Sequence, residues 1–122
     1  MAWAAGDSGA RILNLAQLEE ISGGDEAFAS ELLGEFDRLL CDEVPKLLPA
    51  LEDRRLDEVR SIAHALKGAG ATIGAEACSK AAKDLEAACR NRDLRAAYES
   101  VSELEGQASR FLAWLESPAR AA

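Results

Sequence analysis

At 122 residues, with a formal charge of −8 and one histidine, the chain is a single domain with room for one modest core. The acidic balance excludes a surface built to bind nucleic-acid phosphates or an anionic membrane. With 48% hydrophobic but only 5% aromatic residues, and with Ala, Leu and Glu abundant, the composition predicts an all-α fold.

Residues 1–12 are small, glycine-containing and aperiodic, and are expected to form a flexible arm in which Trp3 has no assigned role. The folded unit is expected over 13–117 and a short tail over 118–122. Asn14 is placed to cap a short helix from Leu15 to Ile21, which Gly23-Gly24 would end in left-handed conformation. Asp25 then caps a long second helix with apolar stripe Phe28, Leu32, Phe36, Leu39 and Leu40, continuing through Leu47, Leu48 and Leu51. Pro45 and Pro49 lack amide hydrogens, so this helix is expected to kink or restart near Asp42. Glu52-Asp53-Arg54-Arg55 turns the chain. A third helix runs from about Leu56 to Ile73 and stops at Gly74, a fourth runs from about Glu76 to Asn91 on the stripe Cys78, Ala82, Leu85 and Cys89, and Asp93 caps the last. In that last helix Leu94, Ala97, Val101, Leu104, Ala108, Phe111 and Leu115 keep a 3,4 spacing until Pro118 closes it. Long amphipathic helices joined by short turns give an antiparallel four-helix bundle with a short extra N-terminal helix.

His64 is the residue around which a function can be argued. In the third helix Val59, Ile62, Leu66, Ala69 and Ile73 make the buried stripe, and at about 100° per residue His64 lies about 200° from both Ile62 and Leu66. A lone histidine on a helix is usually an ordinary surface or core residue, but this one faces solvent among Arg60, Ser61, Lys67, Gly68 and Ala71, a pair of cations and several residues with little side chain. Glycine inside a helix costs about 1 kcal/mol relative to alanine. Gly70, on the inner side, is explained by close packing of a neighbouring helix, and Gly68, on the outer side, by access of another macromolecule to His64. Folding back about Ala75 puts position 86 level with position 64, so Glu86 is placed to orient the imidazole, with Arg90 one turn beyond on the same face.

Other motifs carry less. Gly23-Gly24-Asp25-Glu26 approaches the signature of diguanylate cyclases, but Ala27 intervenes before Phe28, and a helix stop followed by a helix cap explains these residues fully. Gly68, Gly70 and Gly74 end a helix instead of opening one after a strand, so they are no dinucleotide cradle, and no G-x-x-x-x-G-K-[ST] string occurs. Without a nucleotide site the chain is not expected to be an autonomous kinase. Cys41, Cys78 and Cys89 fall at apolar helix positions without ligand spacing and read as reduced core residues. No carboxylate cluster has a metal-ligand pattern. No apolar run of about 18 residues and no charged-then-apolar leader is present, so a soluble, cytoplasmic protein is expected.

The string His64-Ala65-Leu66-Lys67-Gly68, followed by small residues and Ile73-Gly74, resembles the core motif of histidine-containing phosphotransfer domains, the intermediate carriers of multistep phosphorelays. The similarity reaches Gly23-Gly24-Asp25-Glu26, the Pro45 region and Leu85-Glu86, and covers about Leu13 to Leu115. It implies that His64 accepts a phosphoryl group from the aspartate of one response-regulator receiver domain and donates it to another, with a hybrid sensor kinase among the candidate sources. Imidazole, with a pKa of about 6.5 in water, keeps one nitrogen lone pair free near neutral pH, and Lys67 would neutralise the phosphoryl oxygens. The resemblance also implies that position 86 holds the other ring nitrogen. The family often has Gln there, and Ser or Ala at position 70. Receiver docking would use Arg60, Ser61, Ala65, Gly68, Ala71 and Thr72 with the neighbouring face of the second helix. No cofactor is expected on this chain, the metal ion belonging to the receiver, and the monomer is the expected state. The alternative is a helical adaptor that docks receiver or kinase domains without phosphoryl chemistry, for which neither His64 nor Lys67 would be needed.

Overall fold

A computed structural model describes residues 12–117. Trp3 with the N-terminal arm, and the tail from Pro118, lie outside the described residues. The described chain is helical, in the order α1 (Leu15–Ser22), α2 (Glu26–Glu52), α3 (Leu56–Ile73), α4 (Glu76–Arg90) and α5 (Leu94–Glu116). Ile12 and Leu13, at the border of the arm, are already buried.

Local chemistry sets the helix starts. The side chains of Asn14, Asp25 and Asp93 each accept the amide of the residue three positions on, Gln17, Phe28 and Ala96, at 3.1 Å, satisfying an amide that the helix itself leaves unpaired. The helix ends share one construction. After α1, α2, α3 and α4 an amide reaches back five residues, from Gly24 to Glu19, Arg55 to Ala50, Ala75 to Gly70 and Asp93 to Ala88, at 2.8–3.0 Å. The residue before it is left-handed in each case: Gly23, Arg54, Gly74 and Arg92. Ser117, extended at φ −70° and ψ 139°, ends α5 in the conformation that a following proline favours.

α2 through α5 form a ring in which each helix packs on its two neighbours, most extensively α3 on α4, and α1 covers one end against α2 and α3. This is the antiparallel bundle. Its centre holds Leu33, Leu47, Leu51, Val59, Leu66, Leu85, Val101 and Leu104, all fully buried, with Phe36 edge-on to Phe111 at 5.1 Å and 88° and Trp114 beside it at 6.1 Å.

Three expectations change in α2. The helix does not restart near Asp42 but runs unbroken to Glu52, because Pro45, Pro49 and Cys41 face solvent, where water can serve the carbonyls that lose their helical donors. Its buried stripe is Ala29, Leu33, Phe36, Leu40, Val44, Leu47 and Leu51, rotated by one position from the stripe expected at its start. Phe28 is 42% exposed and Leu48 is also exposed, while Leu32 and Leu39 are half-buried. Cys41 is exposed as well, in contrast to Cys78 and Cys89, which are buried.

Candidate functional site

The site lies where α3 and α4 meet. Their closeness depends on Gly70, where a Cβ would stand 3.2 Å from the Ala75 carbonyl oxygen and 3.3 Å from both the Ser79 nitrogen and its Cβ. The Ser79 hydroxyl donates to the Lys67 carbonyl at 2.9 Å, tying the helices together just behind the polar face. The turn between them is held from a third side. Asn14 donates its amide to the Gly74 carbonyl at 2.7 Å, and the Gln17 side-chain amide donates to the carbonyls of Ala71 and Thr72.

On this frame His64 stands with 70% of its side chain exposed while Glu86 opposite retains only 9%. The His64 Nδ1 lies 2.9 Å from Glu86 Oε2, and the Lys67 ammonium donates to Glu86 Oε1 at 2.6 Å. Arg90 Nη2 is 4.0 Å from the same Oε2. One buried carboxylate therefore faces three cationic or ionisable groups. The Lys67 hydrogen bond, chiefly, and the His64 contact hold the Glu86 carboxyl below its ordinary value, against the upward push of burial. A carboxylate kept ionised can only accept, so it selects the His64 tautomer with hydrogen on Nδ1 and leaves the Nε2 lone pair directed away from Glu86.

The sequence-derived site residues fall into two groups. His64, Lys67, Glu86 and Arg90 converge on one network, but Lys67, expected beside the phosphoryl position, is committed to Glu86 with 32% of its side chain exposed. Arg60, Ser61, Ala65, Gly68, Ala71 and Thr72 are all exposed on α3 around His64. A Cβ at Gly68 would meet nothing within 4 Å, so nothing inside the fold calls for this glycine.

Two depressions border α3, one of them at the histidine. One, of about 390 Å³, is lined by Asp57, Arg60, Ser61, His64 and Glu86. The other, of about 320 Å³, runs between α2 and α3 and is lined by Leu32, Glu35, Phe36, Leu39, Ala69, Thr72 and Ile73. The α2 members Leu32, Phe36 and Leu39 were expected in that helix's buried stripe, and the neighbouring face of the helix was assigned to receiver docking without naming its residues. Asp57 carried no signal beyond its place one turn before Arg60. Among the described residues no group of His, Cys, Asp and Glu could hold a metal ion, and no helix is long and apolar enough to cross a membrane.

Comparison with known proteins bears on what such a site is for. The phosphorelay intermediate protein rdeA of Dictyostelium discoideum is 31% identical over 88 residues, which cover 72% of this chain and 35% of rdeA. The chain thus aligns with about a third of that relative's length. No solved structure matches it. The family model described as Hpt domain matches residues 26–114, a span that includes both sides of the α3/α4 site, and the chain belongs to the Hpt domain family.

Proposed function

We propose that the protein is a histidine phosphotransfer protein that carries a phosphoryl group on Nε2 of His64 between receiver-domain aspartates of a phosphorelay. One observation carries the reading: an imidazole 70% exposed whose inner nitrogen is 2.9 Å from a buried carboxylate. That pairing leaves a single nucleophilic nitrogen, aimed outward and fixed in orientation, as attack in line with a leaving group requires.

In the transfer the Nε2 lone pair forms the N–P bond as the P–O bond of the donor's aspartyl phosphate breaks and the electron pair returns to the aspartate carboxylate. The ring then holds a phosphoryl group on Nε2 and a proton on Nδ1, a cation that Glu86 faces at hydrogen-bond distance. The reverse sequence loads the next receiver. Glu86 makes the carrier state less costly, and Lys67 keeps Glu86 ionised and in place. A receiver would contribute the aspartate and its metal ion, docking on the exposed face of α3 from Arg60 to Thr72 and on the apolar groove with Leu32 and Leu39. The protein works as a monomer in the cytoplasm, since a carrier must offer the same face to donor and acceptor in turn.

The test is intact-mass spectrometry after incubation with phosphoramidate and, separately, with a phosphorylated receiver domain, comparing wild type with His64→Gln. The expected result is one acid-labile phosphoryl adduct on wild type and none on the variant. Receiver binding without any adduct on wild type would replace the carrier with an adaptor.

A further inference from the structure

Lys67 and Arg90 are both drawn to Glu86, Lys67 at 2.6 Å and Arg90 at 4.0 Å. Arg60 differs. It is exposed, has no hydrogen-bond or ion-pair partner among the described residues, and lines the cleft that contains His64 and Glu86. Burial raises the thiol of Cys89 on α4, and the Arg60 charge pulls it the other way, in keeping with the place of Arg60 in a cleft shared with Glu86 of α4. The Ser61 hydroxyl in the same cleft is equally without a protein partner among the described residues.

Direction along the helix matters as much as position. Side chains on an α-helix lean towards its N-terminus, so a residue covers the surface above the turn preceding its own Cα. The His64 ring accordingly lies over the turn carrying Arg60 and Ser61, and a group on Nε2 projects to that side. Lys67 stands on the C-terminal side of His64, and its ammonium is held on Glu86 Oε1 at 2.6 Å. Asp57, the one other carboxylate lining the cleft besides Glu86, is a turn further from His64 and forms no ion pair with Arg60.

We propose that Arg60, assisted by the Ser61 hydroxyl, contacts the phosphoryl oxygens of phospho-His64, while Lys67 stays on Glu86 as a positioning residue. This rests on the reading of His64 as the phosphoryl acceptor. With phosphoramidate as donor, the His64 Nε2 lone pair forms the new N–P bond, the donor's P–N bond breaks, and its electron pair leaves with a solvent proton as ammonia. Arg60 offers paired donors to oxygens whose charge becomes more accessible in that loose transition state.

The test measures the rate of modification by phosphoramidate at low and high ionic strength for wild type, Arg60→Gln, Arg60→Lys and Lys67→Gln, and follows the adduct by phosphorus NMR. A charge-assisted hydrogen bond at an exposed site predicts a loss of about tenfold for Arg60→Gln at low salt, with recovery in Arg60→Lys and a smaller difference at high salt. The pH at which the bound phosphoryl group titrates should rise in Arg60→Gln, a readout that altered helix packing would not move. Arg60→Gln within twofold of wild type would overturn the assignment, and a loss confined to Lys67→Gln would transfer the role to Lys67. A wild-type protein that takes no phosphoryl group, or a His64→Gln variant that takes as much, would instead remove the carrier reading, and this assignment with it.

Discussion

Gly68 and Gly70 lie two residues apart in one helix, yet alanine should act on them with opposite sign. At both positions alanine lowers the backbone entropy lost on folding, a gain of about 1 kcal/mol. At Gly68 nothing opposes that gain, because apart from the adjoining backbone of its own helix no atom lies within 4 Å of the added methyl. At Gly70 the methyl would meet the Ala75 carbonyl oxygen at 3.2 Å and the Ser79 backbone nitrogen at 3.3 Å. These are backbone atoms of a turn already fixed by the 2.8 Å bond from the Ala75 amide to the Gly70 carbonyl. Overpacking of this kind costs about 1–3 kcal/mol, for a net loss of about 1 kcal/mol. In a domain of this size 1 kcal/mol is worth about 3–5 °C in Tm, so thermal unfolding should separate the two variants by about 6–10 °C, Gly68→Ala above wild type and Gly70→Ala below. If Gly68 exists for a partner's approach, the more stable variant should also take phosphoryl groups from a receiver several-fold more slowly, while its rate with the small donor phosphoramidate stays unchanged. Shifts of the same sign, or unimpaired receiver transfer in Gly68→Ala, would refute the division of the two glycines into packing and access.

Glu86→Gln should destabilise the protein by about 1 kcal/mol at neutral pH, the size of a charged hydrogen bond partly retained by the amide. The Glu86 carboxyl sits below its ordinary value of 4.5 in the folded protein, so its contribution is fully present above pH 4.5 and is lost as pH falls through the lower folded value. Urea titrations of both proteins from pH 7 downward should therefore converge below pH 4.5, and a constant offset would refute the ionic account. Gly74→Ala forces a side chain into φ +88° with its Cβ 2.8 Å from the Asn14 carbonyl oxygen. Left-handed strain of about 1–2 kcal/mol plus the disturbed Asn14 bond, about 1 kcal/mol, predicts a loss of about 2–3 kcal/mol in the urea midpoint analysis, and a loss below 1 kcal/mol would refute it. Thiol titration of the native protein should count one reactive cysteine, Cys41, and three in denaturant. Partial burial of its sulfur and the Asp37 carboxylate raise the Cys41 thiol, so its reaction should quicken with pH, whereas burial pushes Cys78 to about 11.

Helix number, order and most boundaries were legible because each depends on chemistry within four or five residues: the three side-chain caps, the glycines at 23 and 74, and the 3,4 spacing of α3 and α5. The solvent-facing side of α3 was legible for the same reason. The start of α2 was not, since Phe28, Leu32 and Ala29, Leu33 are both credible stripes and only packing against α3 and α5 selects between them. Cys41 was misplaced along with that choice. The expected restart at the prolines does not occur because Pro45 and Pro49 lie on the exposed face of α2, where water can serve the freed carbonyls. At the site, residue level was readable from helix rise, whereas the commitment of Lys67 to Glu86 was not. That depends on which of several flexible cations reaches a buried carboxylate, a matter of side-chain direction across two helices.

The two-residue connection between α3 and α4 also works as a ruler. One inserted residue there would turn every following position of α4 by about 100° and move it by about 1.5 Å, carrying the carboxylate of residue 86 off the His64 side altogether. The connection between α4 and α5 has no such duty, because the network at His64 draws nothing from α5. Changes of length should therefore be accepted around Arg92 and rejected at Gly74-Ala75, although the two turns differ by a single residue and are closed by the same five-residue hydrogen bond.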